Sequence, residues 1–265
     1  MTTAFLGKPA PDLAQQIEMC WSLTSCGENG TAFYELLPDS DMNLVFRFSS
    51  TGCRMVLMGP LTEKASVELH DASDYFCIRF RPGQALDLAD VHPAELIDTY
   101  VDIDKIRGER IDSLADRLHS LPDPASRQLV MEDLLRGSRP LVRDERCRQA
   151  TALLDAHGGF LQINVLAAEL GLHVRSLERI FLDHLGMTPK RLARLVRLQH
   201  LFARIRSGGF GSLADLAHVC GYTDQSHMIR DVRELTGRLP GETDSCDASR
   251  LEGSPQTRIV HRYRG

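Results

Sequence analysis

Residues 166–189 read LAAELGLHVRSLERIFLDHLGMTP and residues 216–240 read LAHVCGYTDQSHMIRDVRELTGRLP, one pattern written twice. Leu166, Ala167 and Gly171 recur at an offset of 50 as Leu216, Ala217 and Gly221. Arg179, Gly186 and Pro189 recur at an offset of 51 as Arg230, Gly237 and Pro240, so the second copy holds one extra residue just after its turn. This is a single duplication, not the period of a solenoid. Each copy has the mechanics of a short helix, a tight turn and a second helix. Val165, Leu166 and the residues from Ala168 to Leu170 make the first short helix. Gly171 ends it, because glycine enters the left-handed conformation at little cost. Val174, Leu177, Ile180, Phe181 and Leu185 then follow the spacing of one buried helical face up to Gly186. In the second copy Ser212 and Asp215 form a capping-box-like start, Gly221 makes the turn, and Met228, Val232 and Leu235 mark the buried stripe. Helices this close in sequence must cross steeply, which presents the second one to a groove.

Between the copies, Thr188 and Pro189 supply a capping side chain and a proline at the first helical position. The helix runs through KRLARLVRLQHLFARIR to Ser207-Gly208-Gly209. Leu192, Leu195, Val196, Leu198, Leu201, Phe202 and Ile205 give it an apolar face, while Lys190, Arg191, Arg194, Arg197, Arg204 and Arg206 crowd the remainder. Such a rigid connector sets the spacing of two reading helices, which can then enter successive major grooves about 34 Å apart.

On the first reading helix Arg175, Glu178 and Arg179 lie at i, i+3 and i+4, opposite the apolar stripe. Arginine can donate two bonds to guanine and glutamate can accept from cytosine, each good bidentate pair giving about 1–3 kcal/mol of base discrimination. The plainer alternative is a solvated face on which Glu178 pairs with an arginine. On the second reading helix Gln225, Ser226, His227 and Arg230 occupy the start and first exposed turn, as groups that read bases or bind phosphate. His227 has the equal alternative of holding the turn from within. Asp224 is expected to cap the helix. Lys190 and Arg194 are expected at phosphates, where their loss mainly reduces the salt dependence of binding.

The charge distribution agrees with this division. Residues 1–142 carry 13 Lys/Arg against 22 Asp/Glu, a net of −9, whereas residues 143–265 carry 18 against 14, a net of +4. An acidic body is joined to a basic, phosphate-seeking module. The 265 residues, 43% apolar, suffice for two cores. The expected boundaries are an amino-terminal sensor or dimerisation domain at 1–136, a linker at 137–142, the DNA-binding domain at 143–241 and a tail at 242–265. The start, MTTAFLGKPAPDL, has no signal-peptide features and no stretch approaches 18 apolar residues, which predicts a cytoplasmic protein without a membrane partner. Seven scattered cysteines without a C-x-x-C predict reduced thiols, no disulfide framework and no metal site. No P-loop, Rossmann fingerprint, zinc motif or G-x-S-x-G occurs, so neither an enzyme nor a cofactor is expected.

In the acidic half, LVFRF (44–48), CRMVLMG (53–59) and YFCIRFRPG (75–83) read as short strands of a small barrel or sandwich. Phe76, Ile78 and Phe80 share one face of the last, and Cys77, Arg79 and Arg81 the other. Arg79 and Arg81 are therefore candidates to hold an anionic small-molecule effector, or else to pair with the surrounding acids. Cys20, Cys26, Cys53 and Cys77 become a thiol or metal sensor only if the fold gathers them. Trp21 reads as core. Beyond Pro93 the pattern turns helical: Ile111, Leu114, Ala115, Leu118 and Leu121 form a stripe that either covers the barrel or makes a dimer interface, and a second helix runs from Ala125 to Arg136.

The segment from about 146 to 241 resembles the AraC/XylS DNA-binding domain, through CGYTDQSHMIRDVRELTGRLP in the second motif and GMTPKRL at the start of the linker helix. The resemblance implies a monomeric unit with two helix-turn-helix motifs, commonly a promoter-bound activator for which RNA polymerase is a candidate partner. It places base contacts at Arg175, Glu178, Arg179, Gln225, Ser226 and Arg230. Two departures are visible: His173 stands where the family has a capping serine, and Val232 where it has phenylalanine. CWSL (20–23), LPDSDMNLVF (37–46), GPLT (59–62) and CIRFRPG (77–83) resemble an uncharacterised domain found ahead of such modules, implying a cupin-like sensor or dimerisation domain. The expected architecture is thus α+β and multi-domain: a β-rich amino-terminal domain with helices, then an all-α domain of two helix-turn-helix motifs joined by a linker helix. The expected function is a DNA-binding regulator modulated by a ligand or by homodimerisation. The alternatives are a constitutive dimeric DNA binder and a thiol- or metal-responsive regulator.

Overall fold

The computed structural model describes residues 2–25, 32–69, 73–87, 91–103, 109–208 and 210–240. Cys26, Cys246, Gly209 and the expected tail at 242–265 lie outside them, as does the side chain of Ile111. The described strands are β1 (Thr2–Gly7), β2 (Ile17–Ser25), β3 (Ala32–Leu36), β4 (Met42–Ser49), β5 (Gly52–Met58), β6 (Ala65–Leu69), β7 (Ser73–Phe80) and β8 (Tyr100–Asp102). Six of them form an antiparallel sheet in the order β1-β2-β7-β4-β5-β8, and β3 pairs with β6 in a second sheet. Alternation along β4 sends Met42, Leu44, Phe46 and Phe48 into the core. β7 is central, so both of its faces are covered: Phe76, Ile78 and Phe80 join the main core while Tyr75 and Cys77 join a second cluster with Trp21 and Leu23. Val67 of β6 closes this second face.

Helix α1 (Glu109–Ser120) and helix α2 (Pro124–Arg136) cover the other face. Leu118 of α1, with Leu114, Ala115 and Leu121 around it, packs into the main core, so the helical stripe covers the sheet. Asp123 caps α2 by accepting from the Ser126 N–H at 2.9 Å, and Met131 and Leu135 drive its inner face into the same core. Residues 137–142 return along the domain: the Leu141 N–H donates to the Ala85 carbonyl at 2.7 Å and the Asp87 N–H to the Arg139 carbonyl at 3.0 Å. Leu141 belongs to the amino-terminal core and Val142 to the next one.

The carboxy-terminal half contains helices α3 (Glu145–Ala156), α4 (Ile163–Glu169), α5 (Val174–Leu185), α6 (Pro189–Ser207), α7 (Leu213–Val219) and α8 (Gln225–Thr236). The repeat is therefore two helix-turn-helix units, α4-α5 and α7-α8, hereafter the first and second heads. Helix α6 belongs to two cores. Leu192, Leu195 and Val196 pack with Leu166, Leu177 and Phe181 of the first head; Leu198, Leu201 and Phe202 pack with Leu216, Met228 and Val232 of the second. A β-rich domain followed by an all-α one is what the sequence predicts. None of the described helices is long and apolar enough to cross a membrane.

Candidate nucleic-acid interface

Helices α5 and α8 each begin immediately after the turn of their head. In the first head the Leu172 N–H returns to the Ala167 carbonyl at 2.8 Å, and in the second the Tyr222 N–H returns to Ala217 at 2.9 Å, so the two turns close in the same way. Their entry residues differ. His173 makes no side-chain cap on α5, whereas Asp224 accepts from the His227 N–H at 2.8 Å and caps α8. Helix α6 starts at Thr188, whose Oγ accepts from the Arg191 N–H at 3.2 Å, and α7 starts at Ser212, which exchanges bonds with Asp215.

Leu177, Ile180, Phe181 and Leu185 seat α5 in the core and leave Arg175, Glu178 and Arg179 exposed together on the outer face. Met228, Asp231, Val232 and Thr236 seat α8 and leave Gln225, Ser226 and Arg230 exposed. His227 is half-buried, its ring edge-on to Tyr222 with centroids 5.4 Å apart, so it steadies the turn. Lys190 is exposed in the first turn of α6.

Arg194 is placed differently from expectation. Its Nε donates to Asp231 Oδ1 at 2.7 Å and its Nη1 to Glu234 Oε1 at 3.2 Å, so this guanidinium ties α6 to α8 and is not a free phosphate ligand. Tyr222 completes the arrangement by donating its hydroxyl to Asp231 Oδ2 at 3.2 Å. Burial, and then the Asp231 charge, push the Tyr222 phenol up, which keeps it a donor. Arg197 lies over the Tyr222 ring at 5.3 Å and donates to the Gly159 carbonyl at 2.9 Å. The positioning roles of Tyr222, Asp231 and Arg197 were missed from sequence. The available signal was an acid, Asp231, inside an otherwise apolar stripe. Between the heads lies an open cleft of about 620 Å³ lined by His157, Gln162, Val165, His200, Arg204 and Val219 among others. Burial, and then the Arg204 charge, lower the His200 pKa and favour its neutral ring.

The two arginines expected to hold an effector do not share a face. Arg79, 5% exposed, is enclosed by carboxylates: Asp39 Oδ2 at 2.5 Å, Asp41 Oδ2 at 2.8 Å, and Glu18. Burial works against the charge of Glu18, but Arg79 holds its carboxyl below the usual range; at Asp41 burial wins and pushes the carboxyl well above it. Arg81 falls beyond the end of β7 because Pro82 and Gly83 turn the chain there. It donates to the Ala14 carbonyl at 2.9 Å and to Asp155 of α3 at 2.7 Å, bridging the two halves. The cavity beside Arg79, lined by Trp21, Asn43, Met58 and Leu61 among others, has about 20 Å³, room for one water. Cys20 and Cys77 are buried; burial pushes the Cys20 thiol up to about 12 and raises Cys77 too, which disfavours the reactive thiolate. Among the described residues no group of three or more His, Cys, Asp or Glu is placed to hold a metal ion.

Comparison with known proteins bears on both halves. Residues 166–245 match a family described as a helix-turn-helix domain, and residues 7–102 match a domain of unknown function, DUF6597. The HTH-type transcriptional activator RhaS of Pectobacterium atrosepticum is 32% identical over 75 residues, covering 28% of this chain and 26% of that protein. The chain thus spans about a quarter of the length of the curated relatives it matches. A transcriptional regulator from Chromobacterium violaceum, of the proteins containing an AraC-type DNA-binding domain, is similar in structure with a TM-score of 0.34 at 23% identity, over 38% of this chain and 89% of that one. ToxT from Vibrio cholerae is similar with a TM-score of 0.46 at 10% identity, over 84% of this chain and 96% of that one.

Proposed function

We propose that this chain, in which an AraC-type helix-turn-helix domain follows a domain of unknown function, is a sequence-specific transcription regulator that reads duplex DNA with two heads. The observation that carries this reading is the repeated outward face. Arg175, Glu178 and Arg179 on α5, and Gln225, Ser226 and Arg230 on α8, are all exposed, and among the described residues none of these side chains is tied up by an ion pair. The neighbouring Arg194 and Arg197 are spent on holding the heads, so the outward groups are a distinct set. Lys190 adds a phosphate contact at the start of α6. By likeness to RhaS, which is described as an HTH-type transcriptional activator, the reading extends to activation. An RNA polymerase partner, homodimerisation and a place in the cytoplasm belong to the same proposal and rest on the sequence reading alone. The test is footprinting on fragments of the source genome. Arg179→Ala and Arg230→Ala should each relax base preference, while Lys190→Ala should reduce the salt slope by about 1 without changing preference. A wild-type protein that protects no site would sink the reading.

A second reading, a binder that needs no small-molecule effector, is favoured by two observations in the amino-terminal half. The arginine best placed to hold an anion is already neutralised by Asp39 and Glu18, and the cavity beside it has room for only a single water. Thermal-shift screening with small carboxylates and phosphates separates the readings, since a ligand of the native state raises its apparent stability. A clear shift would restore the effector.

A further inference from the structure

Two motifs of the amino-terminal half are still without a role: LPDSD at 37–41 and GPLT at 59–62. Their surroundings reach both heads. Leu37 is buried in the core of the second head, among Leu198, Leu201, Phe202 and Val232. The next residue, Pro38, accepts on its carbonyl from Gln199 Nε2 of α6 at 2.5 Å, and Glu35 pairs with Arg238, just past the end of α8. The other docking loop is Pro93–Thr99. Its Ile97 packs against the core of the first head, and its Ala94 sits on Gly186, the cap of α5. A Cβ at Gly186 would lie 2.5 Å from that of Ala94, and the φ of +69° separately favours glycine there. The amino-terminal domain therefore lends one apolar side chain to each head.

The GPLT segment joins the two docking loops. On one side Leu61 and Asp39 exchange backbone bonds at 2.9 and 2.8 Å. On the other the Gly59 N–H donates to the Thr99 carbonyl at 3.1 Å and the Asp98 N–H to the Pro60 carbonyl at 2.9 Å. Asp98 has a φ of +55°, unusual for a residue with a Cβ, and its carboxylate receives the Thr62 N–H at 2.6 Å and the Thr62 hydroxyl at 2.5 Å. Gly59 passes so close to the Leu96 carbonyl that a Cβ would collide with it at 1.8 Å. Asp39 is clamped by Arg79, which anchors the assembly to the main sheet. We infer that residues 37–41, 59–62 and 93–99 form a splint across the two heads, with Leu37, Thr62, Ile97 and Asp98 as positioning residues that fix the half-site spacing the protein accepts. This rests on the two-headed reading above. Within the carboxy-terminal half the heads are joined by α6, which packs in both cores, and by Leu235 and Phe160, which bridge toward the second core. The splint adds a further connection that runs through the amino-terminal domain.

One added base pair between half-sites displaces the second by about 3.4 Å and turns it by about 35°. Rigidly joined heads then lose simultaneous engagement, which is worth on the order of 100-fold, whereas loosely joined heads adapt. The experiment uses the full chain and duplex probes carrying the selected half-sites at the selected spacing and with one base pair added or removed. The wild type should discriminate against the altered probes by on the order of 100-fold. Thr62→Val, Glu35→Arg and Arg238→Glu should each cut this to under about tenfold with affinity for an isolated half-site unchanged. Combining Glu35→Arg with Arg238→Glu should restore it, an outcome that mere loss of stability does not give. Undiminished discrimination in the single variants, or a folded double variant that stays relaxed, overturns the splint and leaves two-headed binding standing. A wild type that selects no pair of half-sites contradicts two-headed binding itself.

Discussion

The two heads are built on one pattern and stabilised by different means. With the offset of 51 that relates α5 to α8, His173 corresponds to Asp224, Ile180 to Asp231 and Phe181 to Val232. The first head has a large aromatic in its core, an apolar residue beside it and no side-chain cap. The second has a smaller core residue, a cap, and a buried carboxylate satisfied by Arg194 and Tyr222. A duplicated fold thus needs its total stability conserved, not its residues. The first head relies on packing, and the second replaces part of that packing with a polar network that locks it to α6.

The difference can be broken from either side. Phe181→Ala should have the largest effect, a loss of about 4 kcal/mol measured by urea unfolding, because a fully buried ring leaves a cavity. Its footprint should lose the half-site of the first head before that of the second. Asp231→Ala should cost about 3 kcal/mol, since it strands Arg194 and the Tyr222 hydroxyl without their shared partner. The double change Asp231→Ile with Arg194→Leu, which gives the second head the apolar solution of the first, should recover most of that loss; no recovery would mean that the network does more than fill space. Asp224→Ala should cost about 1 kcal/mol in the same assay. Giving the first head the missing cap, His173→Asp, should be smallest, a gain of about 0.5 kcal/mol, and a loss there would show that His173 has a role the structure does not display.

Periodicity made the heads legible in the sequence because their determinants are local: a glycine turn, a stripe every third or fourth residue, a cap. Short apolar or alternating runs likewise mark β4, β5 and β7, and a helical stripe marks the helices that cover them. What stayed hidden was decided by contacts distant in sequence. β1 and β2 carry no such mark: β2 is placed by pairing with β7, and β1 by pairing with β2. Arg194 and Lys190 look alike on a helical wheel, yet Arg194 is captured by Asp231, 37 residues away. Arg79 and Arg81 lie two apart on an extended stretch, but the strand ends between them and each finds its own partner. Leu37 and Ile97 have no local mark of their function, since the cores they complete belong to the other half of the chain.

Two-headed, sequence-specific reading is tested most directly by selecting bound duplexes from a randomised pool with the wild type, Arg179→Ala and Arg230→Ala. The expected result is a motif of two blocks about one helical turn apart, one block losing its information in each variant while the other persists. A pool without an enriched motif, or two variants that return the wild-type motif intact, would contradict it.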